Sequence, residues 1–207
     1  MAKLINLIPG RQINVKESID DMDTNLPAQV DRFLERLITQ IKGYNLTIEA
    51  FNNAILGTDL NIISDVGVGF GRLNGYEGAL DLIGDIGNQS IDFVFGMDDA
   101  ILTGGIKAFE DAGKIMGEDI VAIGAVCNGN RNLFNDGKQY GTTLQSPLHE
   151  GQLAIKLVDE YITTGALKKF INFTPNPPIS IENIDTSALQ GYDGKLYSIK
   201  ELCTGNW

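Results

Sequence analysis

The sequence predicts an α/β fold: a three-layer α/β/α sandwich on a mainly parallel sheet. Short runs rich in Ile, Val, Leu and Phe alternate with amphipathic stretches along the chain. Those runs are continuous rather than alternating, as strands covered on both faces are. The composition, 43% hydrophobic and 21% charged over 207 residues, is that of a globular chain long enough to bury a core without staples.

The strand expectations are residues 4–8, 60–64, 91–95, 120–123 and 141–144. Between the first two, residues 27–41 space Val30, Phe33, Leu34, Leu37 and Ile38 on one helical face, and 47–56 continue with Ile48, Phe51 and Ile55. Residues 74–86 put Tyr76, Leu80 and Ile83 together. Residues 99–113 open on an acidic cap and stop at Gly113. Residues 148–165 carry Leu153, Leu157 and Tyr161 on one stripe and close at Gly165. Residues 11–26 are polar and aperiodic, a loop or insertion. Beyond Gly165 three prolines and a lost period suit a strand over 179–184, then a tail laid over the surface.

A net charge of −11 with no basic cluster argues against nucleic acid and against anionic membranes as partners. No apolar stretch approaches the ~18 residues of a membrane span. The first residues have too short an apolar core for a secretory signal. Either the chain is cytoplasmic as written, or a leader and more have been removed. Cys127 and Cys203 are too few and too distant for a protein-built zinc site, with His149 the sole histidine. A disulfide is open to them, but two unpaired, buried thiols are the favoured reading.

The stretch "SDVGVGFGRLNGYEG", 64–78, raises the question of a nucleotide loop. The dinucleotide fingerprint fails, because its sixth place falls on Arg72 or Asn74, and no Gly-Lys-Ser/Thr follows for a Walker loop. A turn with Gly67, Gly69 and Gly71 at positive φ explains the glycines. It leaves Phe70, which is either a plug over the core or an exposed stacking platform; the residues alone favour the plug. Asp98 and Asp99 fall where a strand meets a helix, and ligands of open α/β sheets collect at the carboxyl ends of strands. One aspartate caps the helix, and the second is either a solvated neighbour or free to accept from a ligand hydroxyl. Gln145, at the end of another strand, offers a donor and an acceptor. His149 reads as a surface residue. Nothing forms an acid/base relay, so no enzyme is expected.

In order, "FGRLNG", "IDFVFGMDDAILTGGIKAFEDAGK", "DIVAIGAV" and "NDGKQYGTTLQSPLHEGQLAIKLVDEYITTG" resemble the type I periplasmic sugar-binding proteins of ABC importers. That family shares its fold with LacI-type regulators. The resemblance covers 60–165 and is looser over 3–59. It implies a carboxyl-terminal-type lobe over 1–145, with an insertion or loop at 10–30. It also implies a helix over 146–170 that packs on the other, missing lobe, and a returning strand and surface tail over 171–207.

By the same resemblance the ligand is a small sugar and no cofactor or metal is needed. The partners are an amino-terminal lobe and a membrane permease, and the location is periplasmic or otherwise extracytoplasmic. Phe70 matches the aromatic that stacks on the sugar, which turns its reading from plug to platform, and Arg72 the arginine after it. Asp98 and Asp99 match an asparagine or aspartate that bonds ligand hydroxyls and its neighbour. Gln145 matches a hinge glutamine that contacts the ligand. The family's "GFDG" is here "GAVCNG", in which Val126 aligns with the ligand-binding aspartate and Asn128 stands in with a one-residue shift. The second expectation, from another class, is a ligand-sensing or dimerisation lobe of a LacI-like or kinase-associated protein.

Overall fold

The computed structural model describes residues 2–9, 53, 56, 60–166 and 179–206. The helices expected over 27–41 and 47–56 and the loop over 11–26 lie outside them, apart from Asn53 and Leu56. Six strands form the main sheet: β1 (Ala2–Pro9), β2 (Leu60–Val68), β3 (Phe93–Gly96), β4 (Val121–Ile123), β5 (Gly141–Thr142) and β6 (Ile179–Ser180). Their order is β2-β1-β3-β4-β5-β6. All pair in parallel except β5 with β6, which are antiparallel. The mainly parallel sheet flanked by helices is the expected fold class.

β1 runs beside β2 from Ala2↔Leu60 to Pro9↔Val68, with a register shift at Leu4/Ile5, and beside β3 from Leu4↔Phe93 to Leu7↔Gly96. The chain passes from β2 to β3 through α1 (Arg72–Ile86) and from β3 to β4 through α2 (Asp99–Asp111). Both crossovers advance the same way across the sheet. Right-handed connections therefore stack both helices on one face, where they pack against each other.

The packing of α1 corrects one expectation. Its buried side is Gly75, Gly78, Ala79, Leu82 and Ile86, whereas Leu80 is 45% exposed. The reason is backbone proximity. A Cβ on Gly75 would lie 2.0 Å from the carbonyl oxygen of Ile101, and one on Gly104 of α2 would lie 1.9 Å from that of Arg72. The two helices cross glycine to backbone, so the smallest residues occupy the contact and the larger ones are pushed to its margins.

Under these helices Leu82, Val94, Ile101, Leu102, Ile106, Phe109 and Ile120 form a buried core. A second cluster gathers Cys127, Phe134 of the short α3 (Arg131–Asn135), Leu144, Ile179, Ile184, Ile199 and Leu202. The last two belong to α5 (Ile199–Leu202), which follows the hairpin of β7 (Ala188–Gln190) and β8 (Leu196–Ser198).

The cysteines are corrected as well. Cys127 and Cys203 form a disulfide across 76 positions of sequence. Both flank the same cluster, and that shared burial brings together two residues the sequence keeps far apart. His149 is not a surface residue either: it is only 9% exposed, edge-on to Tyr192 and Tyr197 of the hairpin. It sits in the first turn of α4 (Pro147–Thr164), capped by Ser146 and closed at Gly165 in the left-handed region. On α4, Leu153 is buried as expected and Leu157 half-buried, but Tyr161 is exposed beside Ile155, Val158 and Ile162.

Candidate functional site

The carboxyl ends of the parallel strands form one rim, and its loops carry the candidate residues. The first follows β2. That strand runs on to Val68, so Gly67 lies in extended backbone, and of the three glycines expected at positive φ only Gly71 has it, at 97°. Gly71 caps α1 without a side-chain bond. Phe70, just before it, is 72% exposed, and so is not a plug over the core. The loop is nevertheless ordered by Asn74, whose carboxamide donates to the Phe70 carbonyl at 2.7 Å. The same carboxamide fills the space a side chain would need at Gly69. Arg72, exposed, lines a crevice of about 420 Å³ between α1 and α2 with Tyr76, Lys107 and Glu110.

Sequence order puts Asp98 and Asp99 side by side, and the structure gives them opposite roles. Asp98 is the cap of α2. Its Oδ1 accepts from the backbone N–H groups of Ala100 at 2.8 Å and Ile101 at 3.1 Å. Its Oδ2 accepts from Asn128 Nδ2 at 2.6 Å. Asn128 Oδ1 in turn accepts from Ala100 N–H at 3.1 Å. The pair keeps spare capacity. A carboxylate oxygen has room for a second donor, and the Asn128 amide has a second N–H.

Asp99 points inward and is fully buried, so the acidic cap expected at the start of 99–113 is Asp98 and not Asp99. Its Oδ1 accepts from Gln139 Nε2 and its Oδ2 from the Thr142 hydroxyl, both at 2.7 Å. Gly124 and Gly129 leave room for it, since a Cβ on Gly124 would lie 1.7 Å from its Oδ1. Burial raises its carboxyl to about 7, against the lowering pull of the Thr142 and Gln139 donors and with help from the charge of Asp98.

The loop after β4 bends through two consecutive non-glycine residues at positive φ, Val126 at 78° and Cys127 at 59°. This double turn brings Asn128, not Val126, against Asp98. Gln145, exposed in the loop after β5, donates its backbone N–H to the Val126 carbonyl at 3.4 Å. Asp98, Asn128 and Gln145 thus lie along one hydrogen-bonded segment of the rim. Phe70 lies on the loop of β2, separated from β3 by β1. A second cavity, of about 750 Å³, lies between β2 and α1 around Asp65, Asp81 and Asp85, so neither cavity includes Phe70, Asp98 or Asn128. Asn74, Gln139 and Thr142 were not singled out from the sequence. Nothing in the run Gly141-Thr-Thr-Leu144 distinguishes Thr142 from Thr143.

The mainly parallel sheet flanked by helices is a fold shared with solved structures of solute-binding proteins. Neither a protein-family model nor a curated protein sequence matches the chain. Among solved structures the chain is similar to the periplasmic arabinose-binding component of an ABC transporter from Shewanella sp. ANA-3, bound to arabinofuranose. The two are 19% identical with a TM-score of 0.59, over 88% of this chain and 51% of that one. It is also similar to a periplasmic ribose ABC transporter protein from Conexibacter woesei, 18% identical with a TM-score of 0.60, over 89% and 52%. A third is a solute-binding protein from Bacillus halodurans with bound myo-inositol, 18% identical with a TM-score of 0.53, over 87% and 52%. The chain spans about half the length of these relatives.

Proposed function

We propose that the chain is one lobe of a clamshell that binds a hydroxyl-rich small molecule, a sugar, without catalysing its conversion. The observation that carries this reading is the Asp98–Asn128 pair, an acceptor and a donor side by side at the carboxyl rim. A sugar hydroxyl both donates and accepts, so one hydroxyl can satisfy both groups. Phe70 presents an apolar face on which sugar C–H groups pack, and Gln145 adds a polar group at the rim. Arg72, two residues after Phe70, supports or contacts the ligand in this reading. Asp99 does not touch the ligand in this reading: with Gln139 and Thr142 it fixes the floor on which Asp98 and Asn128 stand.

The partners that follow are a second lobe closing over the rim and a membrane permease of an ABC transporter, which the chain meets outside the cytoplasm. The arabinose- and ribose-related structures, described as periplasmic and matched over only about half their length, support this. Among the described residues no helix is long and apolar enough to cross a membrane. With a single lobe half the enclosure is lost, so affinity is weak.

The test is a titration of the protein with L-arabinose, D-ribose, D-galactose and myo-inositol, followed by melting temperature and calorimetry. At least one raises the melting temperature, and Phe70→Ala weakens its binding about tenfold, the equivalent of about 1.4 kcal/mol. Failure of all four sugars to bind would overturn the proposal. A second reading, an interaction lobe, is favoured by one observation: Leu148, Ile155, Val158, Tyr161 and Ile162 of α4 are all exposed apolar side chains. Self-association that sugars do not influence would favour it.

A further inference from the structure

We propose that the disulfide and the C-terminal residues 203–206 act as a strap that positions Asn128 for ligand binding, so that Cys127, Cys203 and Gly205 are positioning residues of the site. The inference rests on the sugar-binding reading above.

It starts from the backbone. Val126 and Cys127 are the only non-glycine residues at positive φ among those described. For a β-branched valine that conformation is strained, and it persists only where surrounding structure enforces it. On the β5 side the turn is held loosely: Val126 N–H donates to the Thr143 hydroxyl, and Val126 carbonyl accepts from Gln145 N–H, both at 3.4 Å.

On the other side it is held tightly. Thr204 N–H donates to the Cys127 carbonyl at 2.9 Å, Asn206 N–H to the Gly129 carbonyl at 3.1 Å, and Arg131 N–H to the Asn206 carbonyl at 3.0 Å. The strap thus runs beside 127–131 residue by residue. Gly205, with φ 98°, lets it lie flat; a Cβ there would stand 2.5 Å from the Asn128 carbonyl oxygen and 2.8 Å from that of Gly129.

The disulfide fastens one end of this contact, with Cys127 fully buried, and α5 anchors the strap through Ile199 and Leu202. What the strap determines is the direction of the next side chain. Once the chain has turned through Val126 and Cys127, Asn128 faces Asp98 at 2.6 Å and completes the donor–acceptor pair. Released, the turn relaxes toward negative φ and Asn128 leaves Asp98, while Phe70 on the far loop is undisturbed.

The experiment uses the full chain in three forms: oxidised, reduced, and Gly205→Val, which keeps both cysteines. Dithiothreitol reduces the disulfide, the S–S bond taking two electrons and two protons while the dithiol closes to its cyclic disulfide. Two readouts are taken well below each form's melting temperature: affinity for the tightest-binding of L-arabinose, D-ribose, D-galactose and myo-inositol, and the NMR signals of the Asn128 side-chain amide.

Reduction and Gly205→Val each weaken sugar binding about tenfold, roughly the loss of one hydrogen bond. Both remove the exchange protection of the Asn128 amide. Asn128→Ala then costs affinity in the oxidised protein and nothing further in the reduced one, whereas Phe70→Ala costs the same in both. A merely structural strap would lower the melting temperature but leave the cost of Asn128→Ala equal in the two states, and that result overturns the proposal. If the oxidised protein binds none of the sugars, the sugar reading has failed. The Asn128 amide then decides alone: a signal that changes on reduction upholds the strap, and an unchanged one overturns it.

Discussion

The substitution Asp99→Asn removes one large pH-dependent contribution from the stability of the chain. Asp99 ionises at its ordinary value of 3.8 in the unfolded chain and at about 7 in the folded one, because burial disfavours its charge. Between those values the folded state holds a proton that the unfolded state has lost, so stability falls as pH rises. Below 3.8 both states are protonated and the penalty is absent; above 7 both are ionised and it is complete, at about 4 kcal/mol. From pH 5 to pH 8 the native chain therefore loses about 3 kcal/mol at this site alone. The carboxamide of the variant mimics the protonated acid, accepting from Gln139 and donating to Thr142. Urea unfolding of both proteins at pH 5, 6, 7 and 8 measures the difference, in which all other titrations cancel. The gap between variant and native chain moves in the variant's favour by about 3 kcal/mol across the series. Parallel curves, or a variant that loses ground as pH rises, would refute the account of Asp99 as a buried and neutralised floor.

Three further outcomes follow from the packing. Gly104→Ala, which helix propensity alone would favour by about 1 kcal/mol, instead destabilises by about 3 kcal/mol or more, because its Cβ meets the Arg72 carbonyl; denaturant unfolding reads the sign. Reducing the disulfide, which closes a loop across 76 positions, costs about 4.5 kcal/mol by chain entropy, and unfolding with and without dithiothreitol checks it, a loss below about 1 kcal/mol contradicting it. Phe70→Ala leaves stability within about 0.5 kcal/mol, since the ring is 72% exposed, so a large drop in melting temperature would mean that the ring packs on the core after all.

Whatever depends on near neighbours was legible in the amino-acid order. The apolar runs marked the strands, Gly165 marked a helix end, and the ordered motifs placed Phe70, Asp98 and Gln145 at strand termini. Which of two adjacent aspartates faces outward was settled by the fold alone. Asp98 finds Asn128 thirty positions away and Asp99 finds Gln139 forty away, and no local pattern encodes those meetings. The same holds for the disulfide and for His149, which is buried by a hairpin more than forty residues downstream. The buried face of α1 was legible only in part, Tyr76 and Ile83 packing on the core and Leu80 not, because periodicity weighs large apolar residues, whereas a close helix crossing is made by the side chains that are missing. Local propensity acts through a few residues of backbone; burial and polar pairing depend on which distant segments the fold brings into contact.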